Sequence, residues 1–243
     1  MTATKENRPP MKRREVPWIV GFYRSDVGKK YVMALSGIAL LGFIVFHMIG
    51  NLHAFEGAHQ INEYGEGLRE LGEPIAPRTF LLWIARLGLA GAFAIHIHAA
   101  YALTRKNNQA RGEDYGAVRD YHAASYASRT MRWSGVIILL FLVWHLADLT
   151  WGVEIVNPGF ERGDVYGNLQ ASLSRWWVVL IYLTAQIALA AHVWHGAWSM
   201  FQSLGVNNPK INSFRRNFAS VLSVVVMLGY LSVPFGITFG VIH

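Results

Sequence analysis

Six of the ten histidines in this chain lie inside long apolar stretches, namely His47, His96, His98, His145, His192 and His195. Moving an unpartnered polar group from water into an apolar medium costs roughly 2–7 kcal/mol of free energy. Each of these imidazoles therefore needs a partner. Ionisable side chains within membrane-spanning segments usually mark functional sites. Imidazole is also the commonest metal ligand in proteins, so these residues point to a bound metal.

The composition indicates a membrane protein. The 243-residue chain is 53% hydrophobic and only 15% charged, and its apolar segments are too long for an ordinary water-soluble domain. The formal net charge of +7 does not indicate a nucleic-acid partner, because the basic residues flank the apolar segments instead of forming one patch. The chain has no cysteine, which excludes disulfides and any iron–sulfur cluster ligated by its own thiolates.

Five apolar segments are long enough to cross a membrane. About 20 helical residues span a hydrocarbon core of about 30 Å, and a helix satisfies its backbone hydrogen bonds internally. We therefore predict an all-α, polytopic membrane protein, a five-helix bundle over residues 31–243, with helices at about 31–55, 79–103, 133–151, 176–201 and 218–242. Residues 1–30 form a basic segment without the pattern of a secretory signal peptide.

The distribution of basic residues predicts the orientation. Seventeen of the 22 Lys and Arg residues lie in residues 1–30, 104–132 and 202–217, which are separated by two spans each and therefore lie on the same side of the membrane. Positive charge is retained on the cytoplasmic side. We therefore expect a cytoplasmic N-terminus and an outside C-terminus.

The depth of the histidines sorts four of them into two pairs. At about 1.5 Å per helical residue, His47 and His145 lie level in the outer half of the membrane, and His98 and His195 lie level in the inner half. Two imidazole pairs from different helices, one near each face, are what two bis-histidine haems in one bundle would need. The sequence therefore predicts a haem-binding bundle.

Short segments around these histidines resemble one known family. The segments are 25–30 (SDVGKK), 46–52 (FHMIGNL), 98–101 (HAAY), 128–133 (SRTMRW), 144–146 (WHL) and 195–198 (HGAW). They resemble the cytochrome b membrane-anchor subunit of succinate dehydrogenase, in the single-polypeptide, five-helix form shared with some fumarate reductases. The resemblance implies two haems b, the outer one held by His47 and His145 and the inner one by His98 and His195.

Two other midspan histidines leave alternatives open. His96 lies about 200° around its helix from His98, so both rings cannot face the same cofactor, and His192 precedes His195 by one turn. Each either hydrogen-bonds a carbonyl, a propionate or a haem ligand, or is itself a metal ligand. A further alternative is a Rieske-type cluster with two imidazoles from this chain and thiolates from a partner subunit.

Three further polar residues lie where a cofactor could reach them. Arg86, the only cation inside a predicted span, either pairs with a propionate of the outer haem or snorkels to the interface. Asp148 follows His145 by three residues on the same helix face and either relays protons or caps a helix end. Ser36 is small enough to let a flat cofactor approach, although small residues also serve plain helix packing.

We predict a quinone site on the outer side of the membrane. A quinone headgroup needs hydrogen-bond donors and a proton path at the end of an apolar cleft. Two stacked redox centres would be redundant if quinone met the first of them, which favours the outer candidates His53, Glu56, Glu66, Arg86 and Asp148. The inner alternatives are Tyr23, Ser25, Lys29 and Ser36.

The resemblance implies the membrane anchor and electron-transfer subunit of a succinate:quinone oxidoreductase in the inner (cytoplasmic) membrane. Its partners would be a flavoprotein that oxidises succinate and an iron–sulfur protein docked on the cytoplasmic face. A proton-coupled transporter is a rival class, but midspan carboxylates and internal repeats are not evident. A cofactor-free anchor is the other rival. The sequence distinguishes neither menaquinone from ubiquinone nor the direction of the reaction.

Overall fold

The computed structural model describes residues 16–110 and 122–243. These residues form helices and no strand. Five helices are long and apolar enough to cross a membrane, which confirms the all-α polytopic fold. The helices are α1 (Trp18–Arg24), α2 (Asp26–Leu52), α3 (Ala58–Glu70), α4 (Phe80–Ala110), α5 (His122–Leu146), α6 (Val165–Leu173), α7 (Trp176–Ser203) and α8 (Asn212–Thr238). A 3₁₀ turn at His53–Glu56 extends α2, and a π-helical turn at Ala147–Trp151 extends α5.

The spanning helices differ from the predicted segments mainly at their ends. Helix α2 begins at Asp26, because Ser25 caps it and accepts a hydrogen bond from the backbone N–H of Gly28 at 2.9 Å. Helix α8 ends at Thr238 and does not reach residue 242. The chain turns there because Gly240 adopts a φ of +69°, a conformation that glycine adopts readily. The first half of the predicted basic segment, residues 1–15, lies outside the described residues.

The alternating direction of the five spans gives the bundle two ends. We call the end at which α2 begins the N-side and the opposite end the C-side. Helices α3 and α6 lie on the C-side, where they are joined through Asn62. Its side-chain amide donates to Asp164 Oδ1 at 3.0 Å and accepts from the backbone N–H of Tyr166 at 3.0 Å. These contacts hold α3 and α6 together at the C-side ends of the spanning helices.

The spans pack as two units and one additional helix. Helix α2 packs against α4, α5 packs against α7, and α8 lies along both α7 and α2. The Tyr230 hydroxyl of α8 donates to Ile44 O of α2 at 2.8 Å, and Ser223 Oγ donates to Ala190 O of α7 at 2.8 Å. Helix α8 therefore fixes the position of the α2/α4 unit relative to the α5/α7 unit.

Candidate functional site

The two helical units share a repeated residue pattern. Residues of α2 are matched by residues of the same type 98 positions later in α5. The matched pairs are Met33 and Met131, Ser36 and Ser134, Gly37 and Gly135, Phe43 and Phe141, and His47 and His145. Each unit then continues into a helix with a further histidine, His96 in α4 and His192 in α7. The expectation that the chain lacks an internal repeat was therefore wrong. It was missed because the matching positions are scattered along each helix.

The C-side pair consists of His47 and His145. Their ring centroids lie 5.9 Å apart, with the ring planes at 82°. In each unit the phenylalanine one turn earlier packs on the histidine, with centroids 5.3 Å apart for Phe43 and His47 and 5.6 Å for Phe141 and His145. The structure thus brings together the two histidines that the sequence places level in the outer half of the membrane.

The N-side pair consists of His96 and His192, whose ring centroids lie 6.4 Å apart at an interplanar angle of 62°. No ring contact joins His98 to His195 in the part of the chain that the structure describes. The exposed His98 instead places Nδ1 2.5 Å from the Tyr23 hydroxyl, and the buried His195 packs beside Trp194. Depth alone could not distinguish His96 from His98, because the choice depends on the direction in which each residue faces around α4.

Hydrogen bonds fix which ring nitrogen of the N-side histidines is free. Nδ1 of His96 lies 3.1 Å from Met33 O, and a carbonyl only accepts, so this nitrogen carries the hydrogen. Ser134 Oγ donates to Thr130 O at 2.6 Å and therefore accepts from Nδ1 of His192 at 3.2 Å. In both rings Nε2 keeps its lone pair, which is the form of imidazole that binds metals.

Glycines make room for the same two rings. A Cβ built on Gly37 would lie 3.3 Å from Cε1 of His96, and one built on Gly135 would lie 3.6 Å from Cε1 of His192. Each imidazole therefore rests against bare backbone of the neighbouring helix. Ser36, expected to let a cofactor approach, lies 3.2 Å from Nδ1 of His96, so it contacts a candidate ligand.

The donor set suits a haem better than a bare metal ion. Among residues 16–110 and 122–243, no three His, Cys, Asp or Glu side chains converge on a common point. The histidines come in facing pairs, which matches a haem iron that needs only two axial ligands because its macrocycle supplies the others. With metal–imidazole bonds of about 2 Å, and ring centroids roughly 1 Å beyond each nitrogen, two axial rings stand about 6 Å apart. Both observed separations agree with this value.

Behind the C-side pair lies a buried polar network around Asp148, which is 0% exposed. Its Oδ2 accepts hydrogen bonds from Ser172 Oγ at 2.6 Å and from the Tyr182 hydroxyl at 2.8 Å. Arg175 Nη2 lies 3.6 Å from Oδ1. Because it is enclosed by these groups, Asp148 cannot touch a quinone directly.

Tyr182, which the sequence analysis did not identify, joins Asp148 to the C-side pair. Its hydroxyl lies 3.2 Å from Nδ1 of His145. A comparison of the two helical units could have identified Tyr182, because it occupies the position in α7 that Arg86 occupies in α4. Tyr182 precedes His192 by ten residues, just as Arg86 precedes His96. The two residues differ in placement, because the Arg86 guanidinium carbon lies 5.1 Å from the Trp83 ring centroid on an exposed face of α4.

The remaining outer quinone candidates lie at the C-side end. Nδ1 of His53 is 3.2 Å from a carboxylate oxygen of Glu56, and the His53 ring packs on Tyr64 at a centroid distance of 4.9 Å. Glu66 is paired with Arg69 at 2.7 Å and with Arg78. His53 and Glu56 therefore form one cluster, while Glu66 is held in a separate ion-pair network.

The inner candidates at the N-side end are mostly engaged in local contacts. Ser25 caps α2, and Lys29 Nζ donates to Arg24 O at 2.7 Å. Tyr23 contacts His98. These contacts stabilise the junction of α1, α2 and α4.

The fold and the two facing imidazole pairs define a membrane protein of five spans with paired histidines between its helices. The family model described as the succinate dehydrogenase/fumarate reductase transmembrane subunit matches residues 105–231, more than half of the 243 residues. The chain therefore belongs to this family, which confirms the resemblance found in the sequence. No curated protein and no solved structure matches the chain.

Proposed function

We propose that this protein is the anchor and electron-transfer subunit of a succinate:quinone oxidoreductase and holds two haems b. Membership of the succinate dehydrogenase/fumarate reductase transmembrane family supports the anchor role. The observation that carries the haem proposal is the presence of two interhelical imidazole pairs at centroid distances of 5.9 and 6.4 Å. At each position the two imidazoles would hold one haem.

His47 and His145 would hold the C-side haem, and His96 and His192 the N-side haem. This assignment takes the alternative ligands for the inner site in place of His98 and His195, since only His96 and His192 face each other. Each haem would supply a one-electron carrier inside the membrane. Ser36 contacts His96 and precedes His47 by eleven residues, so the two pairs are about 16 Å apart along the bundle.

The N-side end would face the cytoplasm and receive the iron–sulfur subunit. The positive-inside rule supports this orientation, and Lys29, Lys30, Arg105 and Lys106 lie on that end. Family membership implies association with the other subunits of the complex. Succinate oxidation would take place on the flavoprotein, and the C-terminus would lie outside the inner membrane.

Quinone would bind at the C-side end, beside His53 and Glu56. These two residues follow His47 by six and nine positions, so His53 lies about 9 Å beyond the C-side pair. Both can exchange a proton, which quinone reduction requires. Their contact with each other makes them a better-placed proton donor pair than Glu66, which two arginines hold, or the enclosed Asp148.

Optical difference spectra of the purified complex test the haem proposal. The wild-type complex should show two haem b components. The variants His96→Ala and His192→Ala should each lose one component, whereas the matched variants His98→Ala and His195→Ala should keep both. A featureless wild-type spectrum would instead identify a cofactor-free anchor, or a cluster completed by a partner. Loss of haem only in the second set of variants would restore the first assignment.

Quinone reduction tests the C-side site. The variants His53→Ala and Glu56→Gln should slow succinate-dependent quinone reduction, while electron delivery from the flavoprotein to a soluble dye stays at the wild-type rate. His59→Ala is a matched control, because His59 lies in the same region with a side chain that is 84% exposed and paired with Glu63. Unchanged quinone kinetics in both variants would move the site to the N-side end.

A further inference from the structure

The two imidazole pairs differ in what lies behind them. The N-side histidines turn Nδ1 toward serine hydroxyls and, for His96, toward a backbone carbonyl. On the C-side, Nδ1 of His145 faces a tyrosine, Tyr182, whose hydroxyl leads directly to the carboxylate of Asp148. One pair therefore has neutral partners, whereas the other is linked to an acidic group.

The chemistry of the three side chains determines the direction of the hydrogen bonds that join His145, Tyr182 and Asp148. The Tyr182 hydroxyl has one hydrogen and donates it to Asp148 Oδ2 at 2.8 Å. Its oxygen must therefore accept from Nδ1–H of His145 at 3.2 Å. This arrangement leaves Nε2 of His145 with a free lone pair and draws the Nδ1 hydrogen toward an oxygen polarised by the carboxylate.

The hydrogen-bonded side chains are buried and have further partners. Tyr182 is 6% exposed and Asp148 is fully buried. Ser172 Oγ supplies a second hydrogen bond to the same carboxylate oxygen, and Arg175 lies on its other side. The π-helical turn at Ala147–Trp151 carries Asp148 immediately after α5, so the carboxylate reaches the Tyr182 hydroxyl on α7 while His145 keeps its place in the pair.

We propose that Tyr182 and Asp148 are positioning residues that make His145 a more strongly donating ligand than the histidines of the N-side pair. This inference rests on the proposed haem ligation. A hydrogen bond from a ligand imidazole to an acceptor linked to a carboxylate raises the basicity of the metal-bound nitrogen. A more basic ligand favours ferric over ferrous iron, which lowers the reduction potential of the C-side haem alone.

A redox titration of the purified complex, followed optically, tests the proposal. The component that disappears in His47→Ala identifies the C-side haem. Tyr182→Phe should favour its reduction by about tenfold, which corresponds to 59 mV for one electron, and leave the other component unchanged. Asp148→Asn should shift the same component in the same direction by a smaller amount.

Tyr230→Phe is the matched control. The Tyr230 ring lies 6.2 Å from the His47 ring centroid, but its hydroxyl donates to Ile44 O and not to an imidazole. This variant should leave both potentials unchanged. Equal shifts of both components in Tyr182→Phe, or a shift as large in Tyr230→Phe as in Tyr182→Phe, would overturn the proposal.

The two proposals fail in different ways. A wild-type complex without haem defeats the proposed function, and the inference fails with it. A wild-type complex with two haems whose C-side potential is the same in Tyr182→Phe as in the parent defeats the inference alone. Should Tyr182→Phe not assemble, Asp148→Asn decides the matter, because an unshifted C-side potential in that variant overturns the proposal.

Discussion

Replacing Gly37 by valine should remove the proposed N-side haem and spare the proposed C-side haem. A Cβ at this position already lies 3.3 Å from Cε1 of His96, below the optimal carbon–carbon separation of about 3.5–4.0 Å. The methyl carbons of valine extend roughly 1.5 Å further, so the imidazole must retreat by about 1 Å or more. Plausible metal–ligand distances vary by only about 0.2 Å. His96 could therefore no longer serve as the proposed ligand.

The haem content of the purified complex, measured as the ratio of haem to protein, gives the result of this substitution. It should fall from about two to about one in Gly37→Val, and the remaining component should be the one that His47→Ala removes. Gly42→Val is the matched control, because no atom lies within 4 Å of a Cβ at Gly42, and this position is about 140° around α2 from both Gly37 and His47. Two haems in Gly37→Val, or the same loss in Gly42→Val, would refute the reasoning.

Three further results are expected. Gly229→Leu should destabilise the protein by about 1–3 kcal/mol through overpacking, because even a Cβ at this position would overlap Met48 Sδ. Thermal unfolding in detergent measures the loss of stability. Adding Met48→Ala to the same variant should partly restore it. Arg175→Met should lower stability in the same assay by about 2–3 kcal/mol, since it removes the bond to Val156 O at 2.6 Å and a cation 3.6 Å from Asp148 Oδ1. An unchanged unfolding temperature would contradict that role. The chain has no cysteine, so single cysteines can report the orientation. A membrane-impermeant maleimide applied to intact cells should label Ser174→Cys on the C-side and leave Lys210→Cys on the N-side unlabelled. The opposite labelling pattern would reverse the orientation.

The helices and one histidine pair follow directly from the sequence. Continuous apolar stretches require helices in a membrane, and the level of a residue along a helix follows from its position in the chain. His47 and His145 could therefore be placed side by side from their depth. The ends of the helices were less predictable, because the Ser25 cap and the turn at Gly240 depend on local hydrogen bonds and backbone conformation.

The second pair could not be chosen from depth, because His96 and His98 differ by only about 3 Å in height. What separates them is the direction in which each faces, and this depends on how α4 packs against α2. Tyr182 poses a similar difficulty. Its contact with His145 joins residues 37 positions apart on different helices, and only the repeat between the two units would have drawn attention to it.

Each imidazole pair takes one ring from the α2/α4 unit and one from the α5/α7 unit. A growing chain that has inserted only its first unit therefore possesses one ring of each pair and can complete neither of the proposed haem sites. Stable binding of the proposed haems would have to wait until the second unit has entered the bilayer and packed beside the first. During biogenesis, binding of the proposed haems would thus report that translation and insertion of both units had finished.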